Sequence, residues 1–260
     1  MATFSCTPGW RYGAGCEFMT VSRLDDLRRV IEGLDPTGPP QAAIIRRAPE
    51  GIHGPGGRLG VMSASFNPPT RAHVRMTEEA DRLCGFHETL FVLARTNVEK
   101  RLYGAPLEAR LWMLDALAGS RPSCSVAAVS HPRFVDKAAA LRACYPSGTE
   151  ICFIVGYDTL VRLFDPKYYA DMPAELGRMF ASCRFVAANR GEYTTEVVQR
   201  FLERPECREF ANRITVMELD ARHARMSSSE VRERLRKEEG ISDLVPEEVE
   251  RLIRQMGLYR

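Results

Sequence analysis

Short apolar runs alternate with amphipathic stretches from about residue 58 onward. Leu59–Ser63, Leu90–Ala94, Ser125–Val129, Ile151–Val155, Arg184–Ala188 and Ile214–Leu219 are apolar without polar alternation, as strands buried on both faces are. Between them, helical spacing predicts helices near residues 70–84, 106–119, 133–144, 194–203, 228–238 and 246–256. Strands and helices in alternation predict an α/β fold: a Rossmann-like, doubly wound, mainly parallel sheet with helices on both faces. In such sheets ligands lie at the carboxyl ends of the strands, where loops lead into helices.

Residues 1–57 read differently. Leu24, Leu27, Val30, Ile31 and Leu34 have helical spacing, and the run Asp35-Pro-Thr-Gly-Pro-Pro40 ends that helix. A short strand is predicted at Ala42–Arg46, followed by a Gly- and Pro-rich loop. The expected division is an N-terminal extension of unassigned role, 1–57, and one larger α/β domain, 58–260. No internal repeat or low-complexity tract is visible.

Composition narrows the classes. The 260 residues are 45% hydrophobic and 27% charged, ordinary globular values, with 36 basic against 34 acidic side chains and a net charge of +2. That balance gives no whole-molecule reason to expect nucleic acid or an anionic membrane as a partner, so anion recognition must be local. No apolar run approaches the roughly 18–20 residues of a membrane span, and Met1–Thr20 lacks the apolar centre of a signal peptide. The eight cysteines, at 6, 16, 84, 124, 144, 152, 183 and 207, include no C-x-x-C pair, and several sit inside apolar runs. They are expected to be small buried hydrophobes in a reducing, cytoplasmic compartment rather than zinc ligands.

Chemistry is concentrated at two predicted helix starts. In the first, Ser65-Phe66-Asn67-Pro68 forms a turn directly after a buried strand, and Thr70 is placed to cap the next helix. His73 then falls at the third helical position, beside unpaired N–H groups at the positive end of the helix. That end favours an anion, and an imidazole donor there can follow charge onto a phosphate oxygen. The residues alone also fit an ordinary cap with an incidental histidine. In the second, Ser227 and Glu230 have capping-box spacing, and Arg232 lies early in the second turn with its side chain inclined back toward Ser228 and Ser229. Arg234, Arg236 and Lys237 fit a solvated basic face.

Ala64-Ser-Phe-Asn-Pro-Pro-Thr-Arg-Ala-His-Val-Arg75 resembles the G-S-F-N-P-x-T-x-x-H-x-R signature of nicotinamide/nicotinate mononucleotide adenylyltransferases, a T-x-x-H variant of the H-x-G-H motif of nucleotidyltransferases. Ala64 stands at the usual glycine, and Thr70 where many relatives have the first histidine. Met226-Ser-Ser-Ser-Glu-Val-Arg232 is similar to the family's I-S-S-T-x-I-R, and Leu244-Val-Pro onward to its L-V-P tail. Two motifs in order, with the tail, make the signal specific over roughly residues 58–260.

The resemblance implies transfer of AMP from ATP to nicotinamide or nicotinate mononucleotide, forming NAD or deamido-NAD and pyrophosphate. It implies catalytic roles for His73 and Arg232. ATP would be held by Ser65, Phe66, Thr70, His73, Gly156, Asp158, Ser228, Ser229 and Arg232, with Gly156-Tyr-Asp158 similar to the family's G-A-D. The mononucleotide would meet Ser65, Phe66, Asn67, Lys100, Arg110 and Arg190, the last similar to the arginine of a T-R-x-G loop. Trp10 and Trp112 do not match the family's ring-stacking tryptophans, so Phe134 or Tyr168 is expected to face the pyridine ring. Magnesium is expected to ride on the ATP phosphates, with no dedicated protein metal site. Amide-or-acid preference and oligomeric state, a homo-oligomer included, are not legible. The rival readings are another transferase of the superfamily, acting on phosphopantetheine or making a CDP-alcohol, a short aminoacyl-tRNA synthetase-like protein, and a nucleotide sensor without turnover. The absence of K-M-S-K-S lysines from Met226–Glu230 argues against the synthetase.

Overall fold

A computed structural model describes residues 14–96 and 104–260, with side chains from residue 22. Its strands are β1 (Ala42–Arg46), β2 (Arg58–Ser63), β3 (Glu88–Ala94), β4 (Cys124–Val129), β5 (Glu150–Gly156), β6 (Arg184–Ala188) and β7 (Ile214–Met217). They form one sheet in the order β1-β4-β3-β2-β5-β6-β7, parallel throughout except for β1, which runs antiparallel to β4. The order reverses at β2, whose neighbours are β3 and β5, and a crevice opens there at the carboxyl ends of the strands.

The helices are α1 (Ala14–Glu32), α2 (Arg71–Cys84), α3 (Leu107–Gly119), α4 (Phe134–Arg142), α5 (Tyr157–Leu163), α6 (Met172–Ser182), α7 (Thr195–Leu202), α8 (Pro205–Arg208), α9 (Ala221–Arg225), α10 (Ser228–Arg236) and α11 (Glu247–Gln255). Alternate residues of each strand serve opposite faces, and both are covered. Leu59, Val61, Leu90, Val92, Phe153 and Phe185 pack with Leu141, Leu160, Leu176, Phe180 and Phe201 from α4 to α7. Met62, Phe91, Leu93, Val126, Ile154 and Val186 pack with Leu27, Met76, Leu111 and Leu114 from α1 to α3. This two-sided burial is why the strands read as continuous apolar runs rather than alternating ones.

Four helices, α5, α6 and the short α8 and α9, were not predicted. α5 is a seven-residue helix that begins directly after the last residue of β5, with no loop between them to mark its start. α6 did carry a signal: Asp171 accepts a hydrogen bond from the Ala174 N–H, Pro173 stands in the first turn, and Leu176, Met179 and Phe180 supply the buried face.

The segment before β2 is built into the same structure. β1 supplies the edge strand beside β4, and α1 lies along α3. Asp115 of α3 joins them, accepting from Arg23 at 2.6 Å and Arg46 at 2.7 Å. At the other end of the chain, Val231, Ile241, Leu244, Val245, Val249, Leu252 and Ile253 form a third apolar cluster with Ala72 and Met113. The tail thus fixes α10 against the start of α2. The Arg71 N–H donates to the Leu244 carbonyl at 2.9 Å, completing that attachment.

Candidate active site

The turn after β2 is held from several sides. Phe66 takes φ 44°, a left-handed conformation that costs a residue with a side chain roughly 1 kcal/mol or more. Its ring is fully buried, edge-on to Phe91 at 5.8 Å and 5.1 Å from the His73 ring. Asn67 follows with a cis bond to Pro68, and its side-chain oxygen accepts from the Ala105 N–H at 3.2 Å. Gly104 backs that amide: at φ 79°, a Cβ there would stand 2.6 Å from the Asn67 side chain. Arg110, itself buried, donates from Nε to the Ala105 carbonyl at 2.8 Å and from a terminal nitrogen to the Ser65 carbonyl at 3.2 Å.

Thr70 is the N-cap of α2, and its backbone N–H donates to His73 Nδ1 at 3.0 Å. A ring nitrogen that accepts this N–H carries no proton, so in the neutral imidazole the proton sits on Nε2. The Thr70 hydroxyl, 2.8 Å from Nδ1, donates to it as well in that tautomer. Burial, with a smaller contribution from the Arg190 guanidinium, lowers the His73 pKa to about 3. His73 is therefore a neutral hydrogen-bond donor across the ordinary pH range.

Ser227 caps α10, accepting from the Glu230 N–H at 3.2 Å. The second helix start meets the first here. Ser228 Oγ donates to the Pro68 carbonyl at 2.7 Å, and Arg232 donates to the Asn67 carbonyl at 2.6 Å, to the Ser228 carbonyl at 3.1 Å and to Ser229 Oγ at 3.0 Å. Residues about 160 positions apart in the chain thus form one wall.

That wall borders a cleft of about 610 Å³ across the carboxyl ends of the central strands. Ten residues singled out from the sequence line it: Ser65, His73, Phe134, Gly156, Asp158, Tyr168, Arg190, Ser228, Ser229 and Arg232. Phe66, Asn67, Thr70 and Arg110 are buried behind it and shape the turn instead of lining the cleft. Lys100 lies outside the described residues.

The cleft has two chemically distinct regions. Hydroxyls and cations gather around the starts of α2 and α10, with Arg190 after β6 and Asp158 in α5. Burial lowers the Arg190 pKa, and Asp158 works against that. Rings gather beside α4 and α6, where Phe134, Tyr168, Tyr169 and Met179 line the space. Phe134 packs on Phe153 at 5.0 Å and Phe185 at 5.4 Å. The sequence reading missed Arg133, Lys137, Arg162 and Glu175, which also line the cleft. Their only signal was position, in segments that follow β4 and β5. Arg133 forms an ion pair with Glu175. Among the described residues, no group of three or more His, Cys, Asp or Glu side chains is arranged to hold a metal ion, and no helix is long and apolar enough to cross a membrane.

Comparison with known proteins agrees with this geometry. Residues 61–234 match the cytidylyltransferase-like family. A "Probable nicotinate-nucleotide adenylyltransferase" of Trichlorobacter lovleyi is 30% identical over 219 residues, 78% of this chain and 99% of that protein. A "Putative nicotinamide mononucleotide adenylyltransferase" of Schizosaccharomyces pombe is 30% identical over 150 residues, 55% of this chain and 59% of that one. Among solved structures, the Plasmodium falciparum nicotinic acid mononucleotide adenylyltransferase complexed with NaAD shares the fold, with a TM-score of 0.55, 17% identity and coverage of 78% of this chain and 97% of its own.

Proposed function

Since this chain belongs to the nicotinamide/nicotinate mononucleotide adenylyltransferases among the cytidylyltransferase-like nucleotidyltransferases, we propose that it moves AMP from ATP onto a pyridine mononucleotide. The products are NAD or deamido-NAD and pyrophosphate. One observation carries this reading: the starts of α2 and α10 are bonded to each other on one wall, with His73 and Arg232 both lining the cleft beside them.

A 5′-phosphate oxygen of the mononucleotide attacks the α-phosphorus of ATP. The bond from that phosphorus to the bridging oxygen breaks, and pyrophosphate leaves with the electron pair. Such a transfer needs alignment and charge neutralisation rather than a protein nucleophile. Neutral His73 donates Nε2–H to the α-phosphate as charge builds there, and α2 adds its positive end. Ser228, Ser229 and Arg232 hold the β and γ groups. The hydrogen bonds from Ser228 and Arg232 to the turn carbonyls fix the start of α10 against the turn before ATP arrives, which limits reorganisation during the reaction.

Among the described residues the cleft carries two carboxylates, Asp158 and Glu175, and Arg133 occupies the second. That donor set fits a magnesium ion that enters on the triphosphate, with Asp158 free of the Arg133 pair and able to face it. When bound, the ion neutralises phosphate charge.

The test is a pyrophosphate-release assay with ATP, magnesium and each mononucleotide. Wild type is expected to turn over at least one acceptor, and His73→Ala to lose about 10²–10³-fold in kcat while staying folded, the usual loss for one preorganised donor. Consumption of neither mononucleotide contradicts the proposal.

A further inference from the structure

Lys137, on α4, is 7% exposed and lines the ring-rich region of the cleft. Its ammonium stands 4.8 Å from the centre of the Phe134 ring, and no carboxylate among the described residues is within ion-pair distance of it. A buried cation without a paired anion is unfavourable, and contact with one aromatic face compensates only partly. The neighbouring cation, Arg133, already has Glu175. Tyr168 adds a second polar group, a buried hydroxyl with no hydrogen-bond partner among the described residues.

We propose that Lys137 is a specificity-determining residue whose ammonium takes the carboxylate of a nicotinate ring, so that the chain favours nicotinate mononucleotide over its amide. This rests on the acceptor class given under Proposed function. The phosphate donors gather elsewhere, at the starts of α2 and α10, whereas Lys137 stands among rings. A flat aromatic acid with one negative charge matches that setting. A carboxamide brings no charge: its carbonyl oxygen can accept from the ammonium, but that bond is weaker than the one a carboxylate makes. Burial lowers the Lys137 pKa to about 8, and a bound carboxylate would favour the charged form.

The experiment compares kcat and KM for both mononucleotides in wild type, Lys137→Met and Lys137→Arg, alongside calorimetric binding of each mononucleotide without ATP. Wild type is expected to prefer the acid. Lys137→Met should raise KM and Kd for the acid about 10- to 100-fold, the range for losing one charge-assisted hydrogen bond, with the amide and ATP values within about threefold. Lys137→Arg should recover part of the acid preference. Lys137→Gln replaces Lys137→Met should the latter not fold. Equal losses for both acceptors, or a wild type that prefers the amide, overturn the role of Lys137 while the adenylyltransferase reading stands. If wild type neither binds nor consumes either mononucleotide, that reading falls and this inference falls with it.

Discussion

At the scale of single residues, the protonation state of His73 is the feature most open to measurement. Its pKa of about 3 means that the ring stays neutral through the assay range. Below pH 6.5 the unfolded chain binds a proton that folded His73 refuses, so this residue favours unfolding as pH falls from 6.5 toward 3. In NMR spectra of the folded protein, the His73 ring signals are expected not to titrate between pH 5 and 8. A titration centred near 6.5 would contradict the neutral donor. Arg232 offers a second test. Its guanidinium bonds two carbonyls and a hydroxyl at once, a fork that lysine cannot reproduce. Arg232→Lys should therefore lower kcat/KM by roughly 10²-fold and weaken the junction of α2 and α10. Unchanged kinetics would remove Arg232 from the machinery. These residues were legible because caps and motifs coincide at Thr70, His73, Ser227 and Arg232. Lys137 was not, since Val135-Asp-Lys-Ala-Ala reads as an ordinary helix with a solvated lysine, and only the packing of α4 buries it. Arg110 shows the converse: a cation expected near phosphate is bonded to the backbone behind the turn.

At the scale of elements, the buried strands were legible in their apolar runs, while α5 and α6 depended on local features that periodicity alone does not reveal. The attachment of α1 and β1 was also hidden from the sequence. It runs through Asp115, which stands on a helix 69 positions beyond Arg46 and 92 beyond Arg23. Removing a buried carboxylate that serves two partly exposed arginines should cost about 1–2 kcal/mol, because both arginines regain solvent. Asp115→Ala should accordingly lower the urea midpoint and leave kcat per folded molecule within twofold. An unchanged midpoint would show that α1 and β1 are held without this junction. The L-V-P tail gains a physical meaning at this scale. Leu244 and Val245 are buried in the cluster that joins α10, α11 and α3, and the Leu244 carbonyl receives the first N–H of α2.

At the scale of the whole molecule, the sheet order brings together what the chain separates. β2 and β5 are neighbours, so the turn after one and the helix after the other open into the same crevice, and the C-terminal cluster carries α10 across to close its side. Topology of this kind is implied by strand–helix alternation, and the meeting of the two capped helix starts, expected from the resemblance, takes the form of direct hydrogen bonds between them. Isotope tracing tests the central claim most directly: ATP labelled at its α-phosphorus is incubated with the wild-type chain, magnesium and nicotinate mononucleotide. The label is expected in a dinucleotide, with one pyrophosphate released per dinucleotide formed. Label that remains in ATP, or is recovered as free AMP with the mononucleotide unchanged, would contradict it.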